Sequence, residues 1–191
     1  KVEIPPDIRI RPQKPQDRKK LLDSMKSCGE EKDVKKAKLI HAEIRRTECF
    51  LEDAYVNTAI LSMYMKCGAP TEAQMVFDNL SIRSVVSWNA LTAGYVQHGH
   101  NLIALSLFDR MPKHFRTSDQ DVYPSLLKAC GNLKASIEGA VIHDLIVRNL
   151  AEESNVILES ALIDMYCKCG FLDEARVVFN KIGNRNVVSW G

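Results

Sequence analysis

The chain has 191 residues, 46% of them apolar and 26% charged, and a net charge of +2. These proportions describe a water-compatible chain long enough to bury a core, and the charge is too small to argue for nucleic acid by itself. No run approaches the roughly eighteen consecutive apolar residues that a membrane span needs.

The amino-terminal segment stands apart. Residues 1–17 form a basic, proline-rich stretch with Pro5, Pro6, Pro12 and Pro15, which predicts an extended arm. From residue 18 onward the pattern is helical. Apolar side chains at helical spacing predict paired helices at 18–28 with 34–46, then over Ala54–Met65 with a partner carrying Ala73, Val76 and Phe77 on one face. Further pairs follow at 86–97 with 101–111, 121–130 with 137–149, and 156–167 with 172–181. Cys67-Gly68 closes the third helix as a carboxy-terminal glycine would, and Pro70 suits the first turn of the next. Ten helices and no strand predict an all-α fold, a right-handed α-solenoid superhelix of helix–turn–helix repeats.

A fixed offset of 102 residues supports this reading. AILSMYMKCGAPTEAQMVF from Ala59 returns as ALIDMYCKCGFLDEARVVF from Ala161, and fifteen of thirty-six positions are identical between Asp53–Trp88 and Asn155–Trp190. Lys26, Cys28, Gly29, Ile40, His41 and Ile44 match Lys128, Cys130, Gly131, Ile142, His143 and Ile146. Six cysteines following this period, rather than a small disulfide framework, favour a reducing compartment. The chain starts at Lys1 and stops at Gly191 soon after a new unit opens at 187, so it is read as a stretch of a longer protein whose targeting segment lies elsewhere.

The strings NVVSW, ALIDMYCKCGFLDEARVVFNKI and SLLKACGNL…EGAVIHDLIV closely resemble the long, short and standard repeats of plant PLS-class pentatricopeptide repeat proteins. On that alignment a long unit covers 18–53, a short unit 54–84, a standard unit 85–119, a second long unit 120–155 and a second short unit 156–186, with a truncated unit at 187–191. The resemblance implies a mitochondrial or chloroplast protein that binds single-stranded RNA one base per repeat, as the recognition part of an RNA-processing or C-to-U editing factor. It also implies which residues do so. The fifth and last residues of a unit read the base: Thr58 with Ser84 for a purine, Asn89 with Asp119 for uracil, and Ser160 with Asn186 for adenine. The second residue wedges between bases, at Tyr55, Val86 and Ile157, and a lysine near the end of the first helix approaches phosphate, at Lys66 and Lys168. Both long units depart from the pattern: Leu22 and Pro124 stand at the fifth position, which makes these units spacers.

Other readings weigh less. Cys167 and Cys169 with His143 could suggest a metal, but they recur with the repeat and are read as structural. His41-Ala42-Glu43 matches half of a zinc-deaminase signature, and the cysteine half is absent. Trp88, Trp190, Tyr64 and Tyr166 are assigned to the core, Tyr55 to a groove, and Lys32, Lys35, Lys36 and Lys38 to a solvated helix face. No catalysis, cofactor or metal is implied. The competing function is a helical scaffold for a protein partner in a larger organellar complex.

Overall fold

The computed structural model describes residues 15–47, 50, 53–118, 120–149 and 155–188. Among them are eleven α-helices and no strand. The chain divides into two compact units, residues 1–94 and 95–191, considered separately below.

The first unit holds α1 (Pro15–Glu31), α2 (Val34–Thr47), α3 (Ala54–Lys66), α4 (Pro70–Asp78) and most of α5 (Val85–Gln97). Pro15 to Asp17, assigned to the arm on sequence, already belong to α1, and the rest of the proposed arm lies outside the described residues. Helix α1 packs on α3, and each pairs with the helix that follows it. Met25, Cys28, Ile40, Ile44, Ile60, Leu61, Met63 and Phe77 are the buried side chains that fill the layer. Trp88 joins them, its ring edge-on to Phe77 at 4.7 Å, as the core assignment requires. Trp190 lies outside the described residues.

The second unit holds the end of α5, then α6 (Asn101–Arg110), α7 (Lys113–Ser118), α8 (Tyr123–Leu133), α9 (Ser136–Asn149), α10 (Val156–Cys169) and α11 (Leu172–Val188). Here α8 packs on both α6 and α10. Tyr123, Leu126, Leu127, Cys130, Leu162 and Met165 form its interior. The short α7 was not expected from sequence. Arg116 stabilises it, donating from Nε to Met111 O and from Nη2 to Asp109 O while its guanidinium stands 4.9 Å from the Phe108 ring. Helix α11 runs to Val188, past the end expected at 181. In the first unit Arg83 instead donates to Phe77 O and Asp78 O and satisfies the end of α4.

The five hairpin turns share one hydrogen bond, from a backbone N–H to the carbonyl five residues earlier: Asp33 to Cys28, Ala69 to Tyr64, His100 to Tyr95, Ala135 to Cys130 and Phe171 to Tyr166. Each needs a left-handed residue just before the donor. Gly68, Gly99 and Gly170 supply it in three turns, whereas Lys32 (φ 56°) and Lys134 (φ 55°) supply it in the other two. Gly29 and Gly131, where the sequence had placed helix ends, are therefore inside their helices. A Cβ on Gly29 would lie 3.0 Å from Lys66 Cδ, and one on Gly131 would lie 3.0 Å from Lys168 Cδ and 3.3 Å from Met165 Cα. These glycines serve close helix approach instead of the turn.

The repeat also recurs in its polar contacts. His41 Nδ1 is bonded to Tyr64 OH at 3.1 Å between α2 and α3, and His143 Nδ1 to Tyr166 OH at 2.8 Å between α9 and α10. Both pairs have ring centroids 5.6 Å apart at an interplanar angle of 72°. The histidines and tyrosines thus bolt neighbouring hairpins together. The five described cysteines are free thiols, and Cys28 and Cys130 are completely buried. Cys67 Sγ donates to Cys28 O, which places the recurrent cysteines at the contact between α1 and α3.

Candidate nucleic-acid interface

In α3 the inward stripe is Val56, Ile60, Met63 and Tyr64, all buried. Helical geometry then leaves Tyr55, Thr58, Ser62 and Lys66 in line on another face, one turn apart. The helix starts cleanly because Asp53 accepts the N–H groups of Tyr55 and Val56, and Arg18 holds that carboxylate through a 2.7 Å ion pair and a 3.0 Å hydrogen bond. The same guanidinium lies 5.0 Å from the centroid of the Tyr55 ring, which is 74% exposed. One period on, Asn155 caps α10 through Ile157 and Leu158, and Gln120 accepts from its Nδ2 at 3.0 Å. An amide pair has taken the place of the ion pair, and the cap survives.

The same stripe recurs on α10 as Ile157, Ser160, Asp164 and Lys168, all exposed. On α5 Val86 is exposed and Asn89 half-buried, one turn apart. Wedge and reading positions assigned from sequence therefore adjoin on three helices. Pairing between units is a different matter. Asp119 lies outside the described residues, and although Asn186 falls within α11, its side chain is not among those described. Ser84 sits directly before α5, where its Oγ accepts the Ser87 N–H at 3.2 Å and its carbonyl accepts from Ser87 Oγ at 2.7 Å. It is a helix cap as well as a reading candidate.

Hydrogen bonding sets what these groups can offer. Thr58 Oγ1 donates to Ala54 O at 2.8 Å, so its hydroxyl faces a ligand as an acceptor. Lys168 Nζ is held by Asp164 at 2.7 Å on the same helix. Lys66 has no ion pair among the described residues, because Ser62 occupies the position that corresponds to Asp164. Leu22 is half-buried, and Pro124 stands at the start of α8, where a proline ring fits the unpaired first turn.

A cleft of about 240 Å³ between α1 and α3 is lined by Leu22, Met25 and Lys26 on one side and Ala59, Ser62, Met63 and Lys66 on the other. It brings Lys26 beside Lys66. Lys26 was not assigned to the site from sequence, although it shares the 102-residue offset with Lys128. A larger cleft of the first unit, about 580 Å³, uses a different face of α3, with Asn57 and Tyr64 joined by His41 and Arg45 of α2 and Glu72 and Met75 of α4. Several of its polar groups are already engaged, Tyr64 with His41 and Glu72 with Lys38 at 2.8 Å. Lys36 is likewise paired with Glu31 at 3.1 Å, so two lysines of the cluster on this side are salt-bridged to acids of the protein itself.

Burial depresses the basicity of His41 and His143, with Arg45 adding to the effect on His41, so both rings are neutral at pH 7. Burial pushes the thiols of Cys28 and Cys130 up to about 12. Among the described residues no three His, Cys, Asp or Glu side chains are grouped as a metal site would need, and no helix is long and apolar enough to cross a membrane.

The sequence profile described as the PPR repeat matches residues 86–114 and 160–187. These segments take in α5 with α6 and most of α10 with α11. A pentatricopeptide repeat-containing protein of Arabidopsis thaliana is 35% identical over 165 residues, covering 86% of this chain and 24% of its own length. Another from that plant, named as chloroplastic, is 33% identical over 166 residues (87% of this chain, 27% of its own). A third, named as mitochondrial, is 35% identical over 167 residues (87% and 24%). The chain spans about a quarter of the length of these relatives. Its recurrent hairpins, their shared turn bond and these matches agree, and the chain belongs to the pentatricopeptide repeat family.

Proposed function

We propose that this chain is a sequence-specific, single-stranded RNA-binding array of the PLS type, the recognition part of an organellar RNA-processing or C-to-U editing factor. Pentatricopeptide repeat proteins are in general organellar RNA-binding proteins, and relatives named as mitochondrial and as chloroplastic support either organelle. The observation that carries the reading is the exposed stripe of apolar wedge, short polar group and lysine on α3, repeated with one acidic insertion on α10. An apolar or aromatic face stacks on a base, a short polar side chain meets its edge, and an ammonium meets phosphate. The proposal assigns no chemistry to the chain itself.

With the amino terminus toward the 5′ end, residues 54–186 favour purine, uracil, any base, adenine. The test is a competition among four RNAs that differ only at the base opposite Asn89, against the wild type and Asn89→Thr in the whole protein. The variant should move preference from uracil toward guanine by on the order of 1 kcal/mol, since one edge contact replaces another. Identical rankings for both proteins would remove Asn89 from the reading set.

The scaffold reading has the cleft lined by α2, α3 and α4 in its favour. It wins if the wild type binds no RNA and a protein partner protects His41, Arg45 and Met75 from labelling.

A further inference from the structure

The long units read no base through Leu22 or Pro124, yet each carries a feature that base reading does not explain. In the first unit, the stem of Lys66 crosses α1 at Gly29, with Cδ and Cβ at 3.0 and 3.1 Å from where a glycine Cβ would be. Lys26 lies one turn before Gly29 on the same face of α1, and it lines the same cleft as Lys66. The second unit repeats the arrangement: Lys168 crosses α8 at Gly131, with Cδ at 3.0 Å and Cβ at 3.5 Å, and Lys128 lies one turn before that glycine. Lys26, Lys66 and Lys128 are exposed, and none has an ion pair among the described residues. Glu30, one turn beyond Lys26, is also exposed and makes no ion pair there. Two ammonium groups steered together, with a glycine kept bare so that one stem can pass, cost repulsion and give the fold nothing in return. An anion between them reverses the sign.

We infer that the long units are phosphate-binding elements, in which Lys26 with Lys66 and Lys128 with Lys168 form two paired clamps on the RNA backbone, the second attenuated by Asp164. The inference rests on the RNA reading above and changes the role of the long units from spacer to clamp. Asp164 attenuates the second clamp in two ways. It holds Lys168 Nζ at 2.7 Å, and it places a negative charge where phosphate would approach. Ser62 leaves the first clamp uncommitted.

The experiment measures the dissociation constant against salt concentration for the whole protein on a single-stranded RNA oligonucleotide carrying the purine, uracil, any, adenine order. Lys26→Ala and Lys128→Ala should each reduce the slope of log affinity against log salt by about 0.7, the value per phosphate contact on a single strand, without changing the base ranking. Lys26→Arg and Lys128→Arg should retain the wild-type slope. Asp164→Ser should tighten binding to all sequences about threefold, as release of an exposed ion pair allows. Far-ultraviolet circular dichroism of every variant excludes unfolding as the cause. Wild-type slopes in both alanine variants, with base ranking intact, overturn the clamp and leave the base-reading proposal standing. A wild-type protein that binds no RNA overturns both.

Discussion

Lys134 occupies the left-handed position that glycine holds in three other hairpin turns, at φ 55°. The turn depends on that conformation, because Ala135 N–H reaches back to Cys130 O at 2.9 Å and Lys134 N–H to Gly131 O at 3.2 Å. A side chain there costs about 1–2 kcal/mol, since its Cβ crowds the following carbonyl. Glycine removes that cost but adds roughly 0.5–1 kcal/mol of backbone entropy lost on folding. The Lys134 side chain is exposed, so little packing is lost with it. Lys134→Gly should therefore stabilise the protein by about 0.5–1 kcal/mol, which corresponds to about 2 °C in melting temperature for a chain of this size. Lys32→Gly, at φ 56°, should behave alike. Gly29→Ala should not, because its new Cβ would press on Lys66 at 3.0 Å and offset the gain in helix propensity. Urea titration and thermal melts followed by circular dichroism measure all three. If Lys134→Gly and Lys32→Gly both lower the urea midpoint, the turns do not carry the strain assigned to them and the reasoning fails.

Acid should weaken the fold. His41 and His143 are held below their ordinary 6.5 by burial, so the unfolded chain takes up protons first as pH falls. Their contribution is complete above about pH 6.5 and is lost as pH drops toward the folded-state values, and the doubly substituted His41→Phe, His143→Phe protein should show a flatter urea midpoint between about pH 7.5 and pH 5.5. An unchanged pH dependence in that protein would assign the effect elsewhere. Thiol labelling provides a second check: exposed Cys167 should react with iodoacetamide first, while Cys28 and Cys130, buried and pushed up to about 12, should react only on unfolding. Equal labelling rates for Cys130 and Cys167 in the native protein would contradict their placement.

The helix pairs, the recurrent caps at Asp53 and Asn155, and the exposed line through Tyr55, Thr58 and Lys66 were all legible, because each follows from local spacing. Helical period places residues three and four apart on one face whatever surrounds the helix. The 102-residue offset then carried each assignment from one period to the next, including the burial of Tyr64 and Tyr166 beside their histidines.

What the sequence determined by itself was the list of elements and the face that each turns inward. The use made of two glycines was decided only by tertiary packing. Cys67-Gly68 and Cys28-Gly29 are the same dipeptide in equivalent parts of a hairpin, yet Gly68 adopts φ 75° to end a helix and Gly29 stays helical beneath Lys66. Nothing within a few residues separates them. The difference is set by a side chain 37 positions away whose stem needs the space of a missing Cβ, and Lys32 then takes up the left-handed turn. The placement of Lys26 beside Lys66 arises in the same way, from the packing of α1 on α3 rather than from any spacing along the chain. Local geometry acts over a turn or two of helix, whereas the contact between neighbouring hairpins decides which bare backbone is approached and which charges share a cleft.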